Sequence, residues 1–199
     1  MAVYASETEG DFSSGLTIGL VISIAGDGVP SDKVIVEFGT ASPDFRMTVG
    51  LDASDSLYLA IRFLGREVFR SAPVAKEFFC DSFHGIICNL YAKTDNVIVG
   101  EIFIDGKRLS YSENSVPAVP PFKFEKYTIG GSLEAEKPST FEVAKYSAWA
   151  ESPLSEEVRQ AIAAEYAEIL AKLDDKKRVD FKPSEFMAKL TGGETNGRD

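Results

Sequence analysis

Histidine and cysteine are nearly missing from this chain: one histidine and two cysteines in 199 residues. That scarcity leaves no His/Cys cluster of the kind that holds zinc or iron. Cys80 and Cys88, separated by seven residues, match neither a disulfide framework nor a zinc spacing, so both are expected as buried or idle thiols. No serine elbow and no phosphate-cradling glycine loop occurs. Basic residues are also in deficit, 21 against 31 acidic ones, for a formal charge of −10. Such a chain repels phosphate backbones and anionic lipid unless a local basic patch intervenes, and the lysines and arginines are scattered, so no nucleic-acid partner is expected. No run approaches the roughly 18 apolar residues of a membrane span. The opening stretch "MAVYASETEGDFSSG" lacks the basic and apolar regions of a signal peptide, so the expected setting is cytoplasmic or virion-associated rather than classically secreted.

What the chain has in quantity is alternation. In "LTIGLVISI", Leu16, Ile18, Leu20, Ile22 and Ile24 fall on one strand face, and Thr17, Gly19, Val21 and Ser23 on the other. The same period marks strands near 33–39, 45–51, 57–64, 66–70, 84–92, 96–105, 122–130 and 141–149. Segments rich in turn formers separate them: "GDGVPSD", "TASPD", "LDASDS", "KTDN" and "SENSVPAVPP". Nine or ten short strands without intervening helices predict an all-β, antiparallel β-sandwich or barrel. Asp105-Gly106, flanked by apolar residues, signals a hairpin whose two central residues need positive φ. We expect it to close the pair formed by the strands 84–92 and 96–105.

The period changes after residue 150. Leu154, Val158, Ile162, Tyr166, Ile169 and Leu173 recur at spacings of three and four, behind Ser155 as N-cap and with Glu156 and Glu157 in the first turn. They predict an amphipathic helix of about five turns. A shorter helix in "PSEFMAKL" and a solvated tail from 191 to 199 complete the pattern. The expected domains are a sandwich over 1–150, a helical extension over 151–190 that packs on or beyond it, and the tail.

The order of these signals resembles the laminin-G-like and pentraxin-like branches of the concanavalin A-like lectin/glucanase superfamily. "SFHGIICNLY" is similar to the family's aromatic-His strand, "GEIFIDGKRL" to its Asp-Gly hairpin, and "YTIGGS" to a strand ending in Ile-Gly. "FEVAKYSAWAESPLSEEVRQAI" is similar to its last strand and acidic helix. The resemblance covers about 12–165 and implies a jelly roll of two curved sheets. Phe83 stands where the family usually has tryptophan, Gly85 replaces a bulkier residue, and the final helix is longer than usual. The resemblance also makes Asp44, in "SPDFRMTV", a candidate calcium ligand, against the plainer reading of a turn residue after Pro43. Calcium is the one cofactor the loops could hold.

No residue pattern specifies a reaction. His84, lacking a partner in the sequence, is expected as a structural residue; Cys88 and Asp105 are read as fold markers too. A retaining glycosidase needs two carboxyl groups about 5–5.5 Å apart. Glu101 and Asp105 sit four residues apart on a strand, about 13 Å between Cα atoms. Glu134 and Glu136 have suitable spacing but lie in a polar turn. The expected function is therefore a non-catalytic binding module for carbohydrate. The alternative is a structural or protein-interaction module, such as a virion surface or assembly component, that oligomerises through the Ile162–Leu173 stripe; a glycoside hydrolase comes third. Tyr58, Tyr91, Tyr111, Tyr127 and Trp149 are the aromatics available for sugar stacking. Trp149 shares parity with Phe141 and Val143, which predicts its burial with them.

Overall fold

The computed structural model describes residues 4–7, 15–24, 33–40, 44–80, 82–120, 122, 124–130, 141–150 and 152–173. Eleven strands occur among them: β1 (Tyr4–Glu7), β2 (Gly15–Ile24), β3 (Lys33–Gly39), β4 (Phe45–Leu51), β5 (Leu57–Phe63), β6 (Arg66–Arg70), β7 (Phe83–Thr94), β8 (Val97–Ile104), β9 (Lys107–Ser115), β10 (Lys126–Ile129) and β11 (Phe141–Trp149). A 3₁₀ turn spans Lys76–Phe78, and one helix, α1, spans Glu156–Leu173. The strands form two antiparallel sheets: β1-β10-β3-β4-β5-β6, called sheet A, and β11-β2-β7-β8-β9, called sheet B.

One alternate face of each sheet fills a shared core. Leu16, Ile18, Leu20, Ile22 and Ile24 meet Ile86, Cys88, Leu90, Ile98 and Ile102 on the sheet B side, and Phe38, Met47, Val49, Leu59 and Ile61 on the sheet A side. Phe122 and Phe124 join them edge-on to Phe45. They do so from outside β10, so the strand expected at 122–130 shrinks to four residues. Cys88 is fully buried and burial pushes its thiol up to about 12; Cys80 is half-buried, and both are free thiols. The paired carboxylates expected in a polar turn, Glu134 and Glu136, the short helix at 183–190 and the tail lie outside the described residues.

Sheet B is apolar on its outer face as well, over half its area. Val21, Ile87, Phe103 and Ala144 form a second cluster with Leu154, Ile162 and Tyr166, flanked by Phe83, Trp149, Ile169, Leu170 and Leu173. Val21 is thus covered by α1 instead of facing solvent. Ser155 caps the helix, its Oγ accepting from the Val158 N–H at 3.3 Å. Val158 itself is 43% exposed, one position off the seam that reaches the sheet. Ile162 and Tyr166, the centre of the stripe that also fits a coiled coil, are buried on the chain's own sheet. A Cβ at Gly85 would stand 3.0 Å from the Tyr166 ring, and one at Gly19 would run into the Tyr166 hydroxyl and the Trp149 ring. Two missing side chains therefore make the seat for one tyrosine.

Three sequence expectations need correction. Asp105-Gly106 joins β8 to β9, while β7 reaches β8 through Asp95-Asn96. β9, "KRLSYSENS", is a strand although its exposed polar residues hide the apolar alternation. Finally, a bulge between Val143 and Lys145 shifts β11 by one residue. Phe141 and Val143 enter the core, then Tyr146 and Ala148 do, and Trp149 is turned outward to the α1 cluster.

Candidate functional site

Among the described residues α1 packs on only part of the sheet B exterior, and the strand order sets what lies on the rest. Cross-strand pairing makes one row of Trp149, Thr17, Asn89, Glu101 and Tyr111. The next row holds Tyr91, Val99 and Glu113. The middle of the first row is a hydrogen-bond chain that ends on Arg108. The Thr17 hydroxyl donates to Asn89 Oδ1 at 2.9 Å, Asn89 Nδ2 donates to Glu101 Oε2 at 3.1 Å, and Arg108 donates to Glu101 Oε1 at 3.1 Å. Thr17, Asn89 and Glu101 are buried, so this satisfied chain avoids the cost of a stranded carboxylate. Glu101 thus has both carboxylate oxygens engaged, one by Asn89 and one by Arg108.

Beside it lies an accessible patch. Tyr111 is 45% exposed and donates its hydroxyl to Glu113 Oε2 at 2.7 Å. Lys93 donates to the same oxygen at 2.9 Å. These two hydrogen bonds, the lysine's first, hold the Glu113 carboxyl below its ordinary range, while the bond to Glu113 raises the Tyr111 hydroxyl. The Arg108 guanidinium sits 5.4 Å from the Tyr111 ring centre. Tyr91 is half-buried, and burial, followed by the Glu101 charge, raises its hydroxyl. Two cations and two carboxylates balance here, leaving aromatic surface among paired charges. A hollow of about 100 Å³ beside the helix is lined by Phe103, Gly106, Arg159 and Ala163 among others. That is below the several hundred Å³ of typical ligand pockets.

The other expected aromatics do not converge with this pair. Tyr127 stacks in the core between Phe38 and Tyr146. Tyr58, on sheet A, is 5% exposed beneath the Arg70 guanidinium, 4.0 Å from its ring centre. Trp149 belongs to the helix seat. Asp44 is exposed before β4, and its carbonyl accepts from the Leu64 N–H at 2.8 Å. Among the described residues no three His, Cys, Asp or Glu side chains gather as a metal-binding group. No helix among them is long and apolar enough to cross a membrane.

His84 has one partner that its sequence neighbourhood does not show, Asp105, and one two residues before it, Ser82. Its Nδ1 lies 2.7 Å from Asp105 Oδ2 and its Nε2 lies 2.7 Å from Ser82 Oγ. The linkage is that of a serine, histidine, aspartate triad. Its setting differs. Asp105 accepts the Gly85 N–H through Oδ1 at 2.9 Å and returns its own N–H to the Gly85 carbonyl at 2.8 Å. The Asp105 carboxylate is 45% exposed, so water screens its hold on the imidazole. The arrangement ties the start of β7 to the β8–β9 turn, where Asp105 holds φ at 50°.

Two facing antiparallel sheets with an 18-residue helix after the last strand define a jelly-roll β-sandwich. Solved structures share it. A botulinum neurotoxin DC binding domain, crystallised with "SialylT", aligns over 82% of this chain and 40% of its own at a TM-score of 0.55 and 9% identity. Trypanosoma rangeli sialidase aligns over 77% and 23% at 0.54 and 15%. The tailspike protein 2 of Escherichia coli O157:H7 bacteriophage CAB120 aligns over 84% and 23% at 0.51 and 18%. The chain spans less than half of each, and at these identities the likeness is one of fold. No family model and no curated protein matches the sequence.

Proposed function

We propose that this chain is a non-catalytic carbohydrate-binding module whose binding face is the open half of the sheet B exterior. The observation that carries this is the meeting of Tyr91 and Tyr111 with Arg108, Glu113 and Lys93 across β7, β8 and β9. Sugar rings stack on aromatic faces, and their hydroxyls accept from guanidinium and ammonium groups and donate to carboxylates. Each cation here already holds a carboxylate, so an acidic sugar gains no unpaired charge. The patch suits a neutral glycan. Asp44 lies in the turn before β4 of sheet A, whereas the patch is on sheet B, so a calcium ion held there would not reach the sugar.

A glycan array with neutral and sialylated members, run with and without a chelator, tests this. Binding to neutral members that survives chelation is expected. Tyr111→Ala should weaken it about tenfold, the effect of ~1.4 kcal/mol of lost stacking. Absence of binding to every glycan, or full binding by Tyr111→Ala, would refute the assignment.

A further inference from the structure

Among the described residues two tight hairpins have positive φ at both central residues. Asp105 and Gly106 stand at 50° and 79°, Leu64 and Gly65 at 49° and 74°. Asp-Gly is a pair such a turn favours. A leucine in the first position is not, because its Cβ crowds the following carbonyl and its side chain offers no local hydrogen bond. Nor does burial compensate, since Leu64 is 64% exposed, more than any other large apolar side chain described. The β5–β6 hairpin thus holds an apolar residue at its apex, in solvent and against its backbone preference. Phe63, half-buried, packs beneath it on the core.

The flanks are cationic. Arg62 and Arg66 are exposed, and neither has a carboxylate partner among the described residues. Arg70, further along, is gripped by Glu67 at 2.8 Å. The hairpin's own Glu67 is thus already engaged, and Asp44 meets the Leu64 N–H through its carbonyl. In a chain of net charge −10, two unpaired guanidinium groups on either side of a strained apolar tip are a local reversal of character.

We propose that the Arg62–Arg66 tip is an insertion point for an anionic lipid bilayer. Leu64 enters the boundary between headgroups and acyl chains, and Arg62 and Arg66 lie among the lipid phosphates. A bilayer presents phosphate as a continuous layer over hydrocarbon, which matches an apolar apex with a guanidinium on each side. The protein's overall negative charge opposes this contact, so binding is weak and falls with salt.

Co-sedimentation of the full chain with phosphatidylcholine–phosphatidylserine vesicles, against phosphatidylcholine alone, tests the proposal. Binding to the anionic vesicles at low salt and release at high salt are expected. Leu64→Asn separates function from folding, because asparagine tolerates positive φ. It should lower vesicle affinity about tenfold while raising Tm by roughly 2–4 °C. Arg62→Glu with Arg66→Glu should abolish the dependence on phosphatidylserine, and Tyr111→Ala should bind vesicles as the parent does. Failure of the parent chain to sediment with anionic vesicles, equal binding to both vesicle types, or parent-like binding by Leu64→Asn would overturn it.

Discussion

Asp105→Ala is the sharpest test of whether the Ser82, His84, Asp105 linkage is a clamp. The substitution removes the acceptor of the half-buried Gly85 N–H, which costs about 1–2 kcal/mol. It also removes the bond to His84 Nδ1, discounted to about 0.5 kcal/mol because both groups are partly exposed. Alanine at a φ of 50° adds about 0.5–1 kcal/mol, since it lacks the local hydrogen bonding that lets aspartate occupy that region. The sum is roughly 2–3.5 kcal/mol, or a fall in Tm of roughly 4–14 °C for a chain of this size. Asp105→Asn keeps both an acceptor oxygen for Gly85 and tolerance of positive φ, so it should cost less than about 1 kcal/mol. Urea denaturation of the two variants gives the comparison. A loss below about 0.5 kcal/mol for alanine, within the range of neutral surface changes, would refute the clamp, as would equal losses for both.

Three further outcomes follow from the same structure. Ser82→Ala should leave stability within about 0.5 kcal/mol of the parent, and the parent should not react with a fluorophosphonate probe; labelling of Ser82 would show the linkage to be catalytic. Tyr166→Ala should cost about 3–4 kcal/mol and free α1 to protease while the two-sheet core stays folded, which circular dichroism and limited proteolysis would show together. Stability should fall as pH rises above about 9, because burial holds the Cys88 thiol at about 12 and raises the Tyr146 and Tyr166 hydroxyls, so the unfolded chain releases those protons first. For Cys88 alone, three units above its value of 9.0 correspond to roughly 4 kcal/mol by pH 12, and Cys88→Ala should flatten that part of the urea-midpoint curve.

The sandwich was legible wherever one strand face was apolar and the other was not. β3, β4, β6 and β11 begin and end at the residues their alternation marks. β9 escaped because an edge strand beside solvent carries charge and serine in place of a clear apolar face. Trp149 was misplaced by a single bulged residue, which reverses parity without leaving a composition signal. The candidate site was harder to see for a different reason. Tyr91 and Tyr111 stand 20 residues apart on strands that do not touch, and only the order β7-β8-β9 brings them to one face. His84 and Asp105 meet through the same pairing, so the sequence shows a histidine without a partner.

Gly85 and the long final helix, two departures from the resembled family, are one feature physically. A side chain at Gly85 would occupy the space of the Tyr166 ring, and one at Gly19 would meet the same tyrosine from the neighbouring strand. The helix in turn covers Val21, Ile87 and Phe103, apolar residues that would otherwise leave half of the sheet B exterior greasy. By covering that half, α1 confines the accessible polar and aromatic surface of sheet B to β7, β8 and β9. Gly85→Ala therefore tests the coupling at long range: it should loosen α1 and expose apolar surface to a hydrophobic dye. Tyr111 and Glu113 pair with Glu101 and Val99, outside the helix cluster, and Arg108, cross-strand from Phe103, keeps its bond to Glu101, so glycan affinity should change less than twofold, well under 1.4 kcal/mol. A parallel loss of glycan binding would mean that the helix and the patch are one cooperative unit.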